Sequence, residues 1–197
     1  MSITVRSYFG TEANQFKNDL ARLRIKVFRE FPYLYEGTVE NEARYLDTFF
    51  KAKDSIIVIA FDGDQVVGAS TGMPLEQETK DIQQPWLDHQ MDISKVFYFS
   101  ESVLLSNYRG QGIGVQFFEQ REAWARKLDR FDTLTFCGVV RPEDHPLRPV
   151  GFVPLDRFWQ KRGFQKLVGY VCYLSWLQVD STEERENALQ FWGKQIF

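Results

Sequence analysis

The segment Tyr108-Arg-Gly-Gln-Gly-Ile-Gly114 carries the strongest chemical signal in the chain. Gly110, Gly112 and Gly114 fall within five residues, between an apolar run and an amphipathic one. Glycine lets backbone N–H groups approach a ligand closely. The first N–H groups of a helix have no internal partner and sit at the positive end of its dipole. A phosphate or pyrophosphate suits such a place, and Arg109 adds a full positive charge. A bare turn joining strand to helix would not need three glycines, each costing up to ~1 kcal/mol inside a helix.

The loop excludes two familiar phosphate binders. It lacks the Gly-Lys-Ser/Thr of the Walker pattern. A dinucleotide fingerprint begun at Gly110 requires glycine or alanine where Val115 stands, and begun at Gly112 it meets Phe117. What remains is Arg-x-x-Gly-x-Gly on Arg109, Gly112 and Gly114. A second motif, Leu155-Asp-Arg-Phe-Trp-Gln-Lys-Arg-Gly-Phe164, follows about 45 residues later. Together they resemble the coenzyme A loop and the late helix of the GNAT superfamily of N-acyltransferases, with Phe158, Lys161, Gly163 and Phe164 matching the latter.

That resemblance implies an acyltransferase using acetyl-CoA, or another acyl-CoA, as co-substrate and no metal. It implies that the strand before the loop offers backbone groups of Ser102, Val103 and Leu104 to the pantetheine arm. One of their N–H groups would polarise the thioester carbonyl. The N–H groups of Gly110, Gln111, Gly112, Ile113, Gly114 and Val115 would hold the pyrophosphate. Phe158 and Trp159 would pack near the pantetheine. Two positions depart from the family: Trp159 stands where a tyrosine often acts as general acid, and Phe152 where an asparagine is common. A thiol of pKa about 8.5 leaves as a fair thiolate without an acid. Tyr173, or Tyr170, is a candidate replacement.

The amine must lose a proton before it attacks. Glu101 is the candidate base, because an apolar strand would desolvate its carboxylate and raise its pKa. The alternative is a solvent-facing strand residue. Tyr33, Tyr35 and Glu36 form an aromatic and acidic cluster suited to a cationic amine. Arg148 could instead hold the carboxylate of an amino acid. His145 is a candidate base or part of an Asp-His-Pro turn. These residues leave the acceptor open between a small amine and an amino acid.

The elements that must position these residues form one α/β order. Ile3, Val5 and Tyr8 predict a strand, and Thr11 caps a predicted helix reaching Glu30. A helix over about 41–51 follows, then a hairpin of Ser55–Phe61 and Gln65–Met73 about Asp62-Gly63-Asp64. Pro74–Asp92 reads as a loop with one helical turn. Val96–Leu105 predicts a strand, a long helix runs to about Leu128, and Asp132–Val140 is a strand again. Arg141–Pro154 holds four prolines and cannot be regular. Leu155–Arg162 predicts a helix and Phe164–Val179 one or two strands. Ser181 and Glu184 predict a capping box for a last helix. The fold class is α/β, a mixed, mostly antiparallel sheet flanked by helices, in a single domain 1–197 with its core over about 2–178 and a C-terminal helical extension over about 181–197.

Composition narrows the function further. The 24 basic and 27 acidic residues give a charge of -3, which argues against a nucleic-acid partner. The longest apolar run, Ile56–Phe61, is far short of the roughly 20 residues that span a membrane. No signal-peptide pattern opens the chain, so a cytoplasmic location is expected. Cys137 and Cys172, far apart in the sequence, read as buried thiols. Phe191, Trp192, Ile196 and Phe197 would dock on the domain or cover the partner of a homodimer. The expected function is transfer of an acyl group, most simply acetyl, to the amine of a small molecule or amino acid. The alternatives are an acyl-CoA sensor without catalysis and, third, a dinucleotide oxidoreductase.

Overall fold

A computed structural model describes residues 3–196; Met1, Ser2 and Phe197 lie outside the described residues. Seven strands form one sheet in the order β1-β2-β3-β4-β5-β7-β6. They are β1 Ile3–Phe9, β2 Ile56–Asp62, β3 Gln65–Pro74, β4 Val96–Leu104, β5 Thr133–Val139, β6 Gln165–Leu177 and β7 Glu184–Gln195. All neighbours are antiparallel except β4 and β5. β2, next to the edge strand β1, is apolar from Ile56 to Phe61 because both of its faces are buried.

Helices cover both faces. α4, Ile113–Lys127, lies on one face over Val58, Phe97, Phe99 and Phe136. α1, Lys17–Phe28, and α2, Val39–Lys51, cover Ile57, Ile59 and Met73 on the other. α3, Lys80–Asp88, covers Tyr98, Cys172 and Phe191 beside them. The short α5, Asp156–Gln160, packs Phe158 and Trp159 against the α4 side. Among the described residues no helix is long and apolar enough to cross a membrane.

Three expectations are corrected. The residues after Thr11 wind into a 3-10 turn, Gly10–Phe16, and α1 starts only at Lys17. Glu12, not Thr11, closes the turn by accepting the Phe9 N–H at 3.0 Å. The segment read as a loop before Asp92 contains the nine-residue α3. Pro85 misled there, but Ile82 and Trp86 sit four apart and bury one stripe. The expected C-terminal helix is the strand β7. Ser181 closes a turn with Glu183 through its hydroxyl rather than capping a helix. From Asn187 the chain buries alternate residues, Asn187, Leu189 and Phe191, at the period of a strand. Phe191, Trp192 and Ile196 are buried in the molecule's own sheet, so they do not cover a partner.

Candidate active site

The site grows from a defect in the sheet. β4 pairs with β5 through Val96, Phe97 and Tyr98 alone. β3 keeps β4 company to Leu104. From Phe99 to Leu104, therefore, the edge of β4 that faces β5 has no strand partner. Such an edge presents unpaired N–H and C=O groups to whatever enters the gap. Ser102, Val103 and Leu104 stand along this edge.

A bulge sets what β4 shows to each face. Thr71 pairs with Glu101 and Met73 with Tyr98, so three steps on β4 meet two on β3. Phe97 and Phe99 face α4, and Tyr98 faces the other side. Without a bulge Glu101 would follow Phe99 toward α4. With it, Glu101 reaches Arg24 of α1, on the side of Tyr98. Arg121 of α4 fixes this irregularity. Buried to 1% exposure, it donates to Thr71 O and Glu101 O, each at 3.1 Å, and to Ser102 Oγ at 2.9 Å. Its guanidinium lies 4.2 Å over Phe99, and burial presses its pKa down.

The glycine loop lies at the end of the open edge. Gly110 has φ 76° and Gly112, the N-cap of α4, φ 83°. A Cβ would meet nothing at either position, so backbone conformation and not crowding demands glycine there. Val115 N–H donates to Gly112 O at 3.0 Å, which removes it from the expected donor set. The N–H groups from Gly110 to Gly114 precede the first helical bond, which Val115 and Gln116 make to Gly112 O. Gly114 lies against Phe158, whose ring would stand 3.4 Å from an added Cβ. Arg109 turns back instead of forward: it donates to Leu104 O at 3.1 Å and pairs with Glu30 at 2.8 Å. Arg109 and Glu30 thus line one groove with Phe31 and residues 147 and 149–152 of the proline-rich loop.

Trp159 fills the wall of the gap on the β5 side. Its ring would come within 3.0 Å of a Cβ at Gly138, and it packs edge-on against Phe136 and Trp192. Tyr173 is 56% exposed, on the side of β6 opposite Cys172, and is not brought to the gap. Tyr170 stacks on His89 and meets Trp86. Arg148 lies over Phe152 at 5.2 Å and stays in the proline-rich loop. His145 accepts the Leu147 N–H at 3.2 Å, which makes Asp-His-Pro a turn.

On the α1 and α2 side a buried polar cluster lies against β4. Arg24 pairs with both Glu42 and Glu101, and all three side chains are buried. Tyr35 donates to Glu42 at 2.7 Å. Arg24 also lies 4.1 Å over Tyr45. Tyr33 stacks on Trp176 of β6, whose indole N–H donates to Tyr33 O at 3.0 Å. Tyr98 Oη lies 3.1 Å from Cys137 Sγ. The Cys172 thiol and then burial push the Cys137 thiol up, and both cysteines are free. Burial likewise raises Tyr33, Tyr35, Tyr45 and Tyr98. Burial also raises the Glu78 carboxyl, which the Thr79 N–H and the Ser100 hydroxyl only partly offset.

Of the expected acceptor residues, Tyr33 is beside this cluster and Tyr35 supports it through Glu42. Glu36 pairs with Arg29 at the surface. Glu101, the candidate base, is buried in this cluster with its carboxylate paired to Arg24. Arg24, Glu42, Tyr45, Glu78 and Tyr98 were missed. Arg24 lies four residues from both Leu20 and Phe28, and Glu42 four from Leu46 and seven from Phe49. A charge on the apolar stripe of a helix is a readable sign of a buried polar network. Glu78 follows a 3-10 turn, Leu75–Gln77, and has no such sign.

No curated protein matches the sequence significantly. A ribosomal-protein-alanine N-acetyltransferase from Brucella melitensis is similar in structure, with TM-score 0.64 at 14% identity over 98% of this chain and 99% of that one. An acetyltransferase of the GNAT family from Streptococcus pneumoniae gives 0.61 at 13%, over 99% and 100%. An acetyltransferase of the GNAT family from Staphylococcus aureus Mu50 gives 0.62 at 11%, covering 100% of both. At these identities the likeness speaks for the fold. The sequence model of the Acetyltransferase (GNAT) family matches residues 20–164, from α1 through α5 to the phenylalanine that ends the second motif. With that match over most of its length, the chain belongs to the acetyltransferase (GNAT) family.

Proposed function

We propose that this protein transfers an acyl group, acetyl in the simplest case, from acyl-CoA to the amine of a small molecule by direct attack on the thioester. The observation that carries this reading is the opening of β4 from β5 after three paired residues, with the glycine loop at its far end. The residues fit acyl-CoA: an unpartnered strand edge for an amide-bearing arm, and N–H groups ahead of the first helical bond for a pyrophosphate. Gly110 and Gly112 give the loop its positive φ, and Phe158 with Trp159 supplies an apolar wall.

Acyl-CoA brings the activated acyl carbon. The chain's own groups do the rest. The open edge at Ser102–Leu104 orients the arm and aims a backbone N–H at the carbonyl oxygen, where negative charge develops during attack. A carboxylate of the cluster beside β4 takes a proton from the ammonium. The amine nitrogen then bonds to the carbonyl carbon, the carbon–sulfur bond breaks, and the sulfur leaves with the electron pair. The surplus proton on nitrogen goes to solvent or the thiolate. Trp159 cannot donate a proton, and a thiolate leaving group tolerates that.

Thiol release from acetyl-CoA tests the reading. Release that depends on both protein and an added amine supports it. Tight acetyl-CoA binding without release for any amine would instead favour an acyl-CoA sensor.

A further inference from the structure

Arg121 is a buried cation without an anion. It is 1% exposed, and among the described residues no carboxylate pairs with it. All its donors go to neutral oxygens. Nε donates to Phe117 O at 3.0 Å, Nη1 to Thr71 O and Glu101 O at 3.1 Å each, and Nη2 to Ser102 Oγ at 2.9 Å. Phe99 and Phe118 close over the guanidinium at 4.2 and 5.0 Å. Burial lowers its pKa to about 9, which leaves the charge in place at neutral pH. A buried charge without a counter-ion is costly. Holding the carbonyls of a bulge needs donors but no charge.

The charge stands behind one particular peptide. Leu105 N–H donates to Val67 O at 3.0 Å. From there the register pairs Ala69 with Val103, Ser70 with Ser102 and Thr71 with Glu101. In an antiparallel ladder, residues bonded to the partner strand alternate with residues whose N–H and C=O groups face away. Leu105 and Val103 therefore bond to β3, and Ser102 and Leu104 turn their backbone groups to the open edge. Leu104 O, free of β3, accepts from Arg109 Nε at 3.1 Å. The Glu101–Ser102 peptide is trans, so its C=O and N–H point opposite ways. Its oxygen takes the Arg121 guanidinium, and its N–H, that of Ser102, points into the gap.

Two N–H groups thus face the gap. Leu104 is the nearer to the glycine loop, and Ser102 the nearer to the closed end, where Tyr98 last pairs with Thr135. An acyl-CoA with its pyrophosphate at the loop runs its arm along this edge and brings its thioester toward Ser102. We propose, resting on the acyl-transfer reading, that Arg121 is a positioning residue whose charge polarises the Glu101–Ser102 peptide, so that Ser102 N–H stabilises the oxyanion of the thioester. As the amine nitrogen bonds to the carbonyl carbon, the π pair moves onto oxygen and Ser102 N–H donates to it. The pair returns as the carbon–sulfur bond breaks, and sulfur leaves with its electrons. Arg121 touches no reacting atom. It acts through the peptide, because hydrogen bonds in series strengthen one another and a fixed charge needs no reorganisation.

The test uses acetyl-CoA isotopically labelled at the thioester carbonyl, and S-ethyl-CoA, in which a methylene replaces that carbonyl. Infrared spectra of the bound label are expected to show the C=O band below its position in free acetyl-CoA. Calorimetry is expected to give acetyl-CoA a Kd about tenfold tighter than S-ethyl-CoA, as for one charge-assisted hydrogen bond. In Arg121→Met both ligands weaken, but the preference for acetyl-CoA falls to within about twofold and the band returns toward its free position. Arg121→Gln keeps a neutral donor and is expected to do the same, which carries the test if Arg121→Met does not fold. Arg121→Lys restores part of the band shift. A purely structural role would weaken the two ligands alike and leave the band in place. A band unshifted in the parent protein, a shift that survives in the neutral variants, or an undiminished preference for acetyl-CoA in them overturns the proposal. A parent protein that binds neither ligand overturns the acyl-transfer reading itself.

Discussion

Arg24 is the residue on which the polar cluster beside β4 depends most. It neutralises two buried carboxylates and lies against Tyr45 and Phe28. Arg24→Met leaves Glu42 and Glu101 facing each other without a cation. Removing one partner from a buried ion pair costs about 3–5 kcal/mol, and that loss is expected in denaturant unfolding at neutral pH. Protonation of the carboxylates would relieve it, so the deficit shrinks toward acid. Glu78 behaves oppositely. Its folded-state pKa is raised by burial, so its contribution to stability is complete below its unfolded pKa and falls as pH rises through the folded value. Glu78→Gln is therefore expected to be more stable than the parent at neutral pH, with the difference vanishing below about pH 4. Unfolding midpoints across pH check both signs. At Gly112 the demand is conformational. Gly112→Ala must hold φ 83° at a cost of about 1–2 kcal/mol, or relax the loop and turn the N–H groups away. Either way acetyl-CoA affinity should fall, measurably by calorimetry.

At the scale of the element, β4 carries the account. Its pairing with β5 ends after Tyr98, its bulge turns Glu101 toward Arg24, and Arg121 holds the bulge carbonyls. Arg121→Met removes the donors to Thr71 O, Glu101 O and Ser102 Oγ. Buried acceptors without partners cost about 1–3 kcal/mol each, partly regained because a buried charge also disappears. A net loss of about 2–4 kcal/mol is expected. The acetyl-CoA affinity should drop with it, because the edge at Ser102–Leu104 loses its support. An unchanged affinity would show that Arg121 serves stability alone. Sequence pattern revealed β4 as a strand but not its bulge, since inserting one residue leaves composition and apolar density unaltered. The same limit hid α3 behind Pro85 and turned β7 into an expected helix. Ser181 and Glu184 satisfy a capping box on paper. The alternation of Asn187, Leu189 and Phe191 has meaning only beside β5 and β6, which are distant in sequence.

At the scale of the molecule, the two families of contacts explain what could be read and what could not. The glycine loop and the α5 motif are local, so their residue types declare their chemistry. The polar cluster beside β4 is assembled from α1, α2 and β4, with Tyr33 and Tyr35 from the loop between the helices. Its members are single residues on separate elements, and of these the sequence singles out Tyr33, Tyr35 and Glu101. Arg24 and Glu42 were legible as charges on apolar stripes; Glu78 acquires its character from burial that the sheet imposes. The last hairpin completes this assembly. β7 enters between β5 and β6 and carries Asn187, which accepts from Arg141 at 2.7 Å. Arg141 in turn holds the Pro32 and Tyr33 carbonyls, so the last strand fixes the loop that bears Tyr33.

The central claim is that the gap between β4 and β5, with the glycine loop, receives acyl-CoA. Thermal unfolding with and without acetyl-CoA, with NADH as control, tests it most directly. At 100-fold excess over Kd, binding adds about 2.7 kcal/mol, a rise of roughly 5–10 °C in Tm for a chain of this size. A rise with acetyl-CoA and none with NADH is the predicted result. No rise at millimolar acetyl-CoA, or an equal rise with NADH, would contradict it.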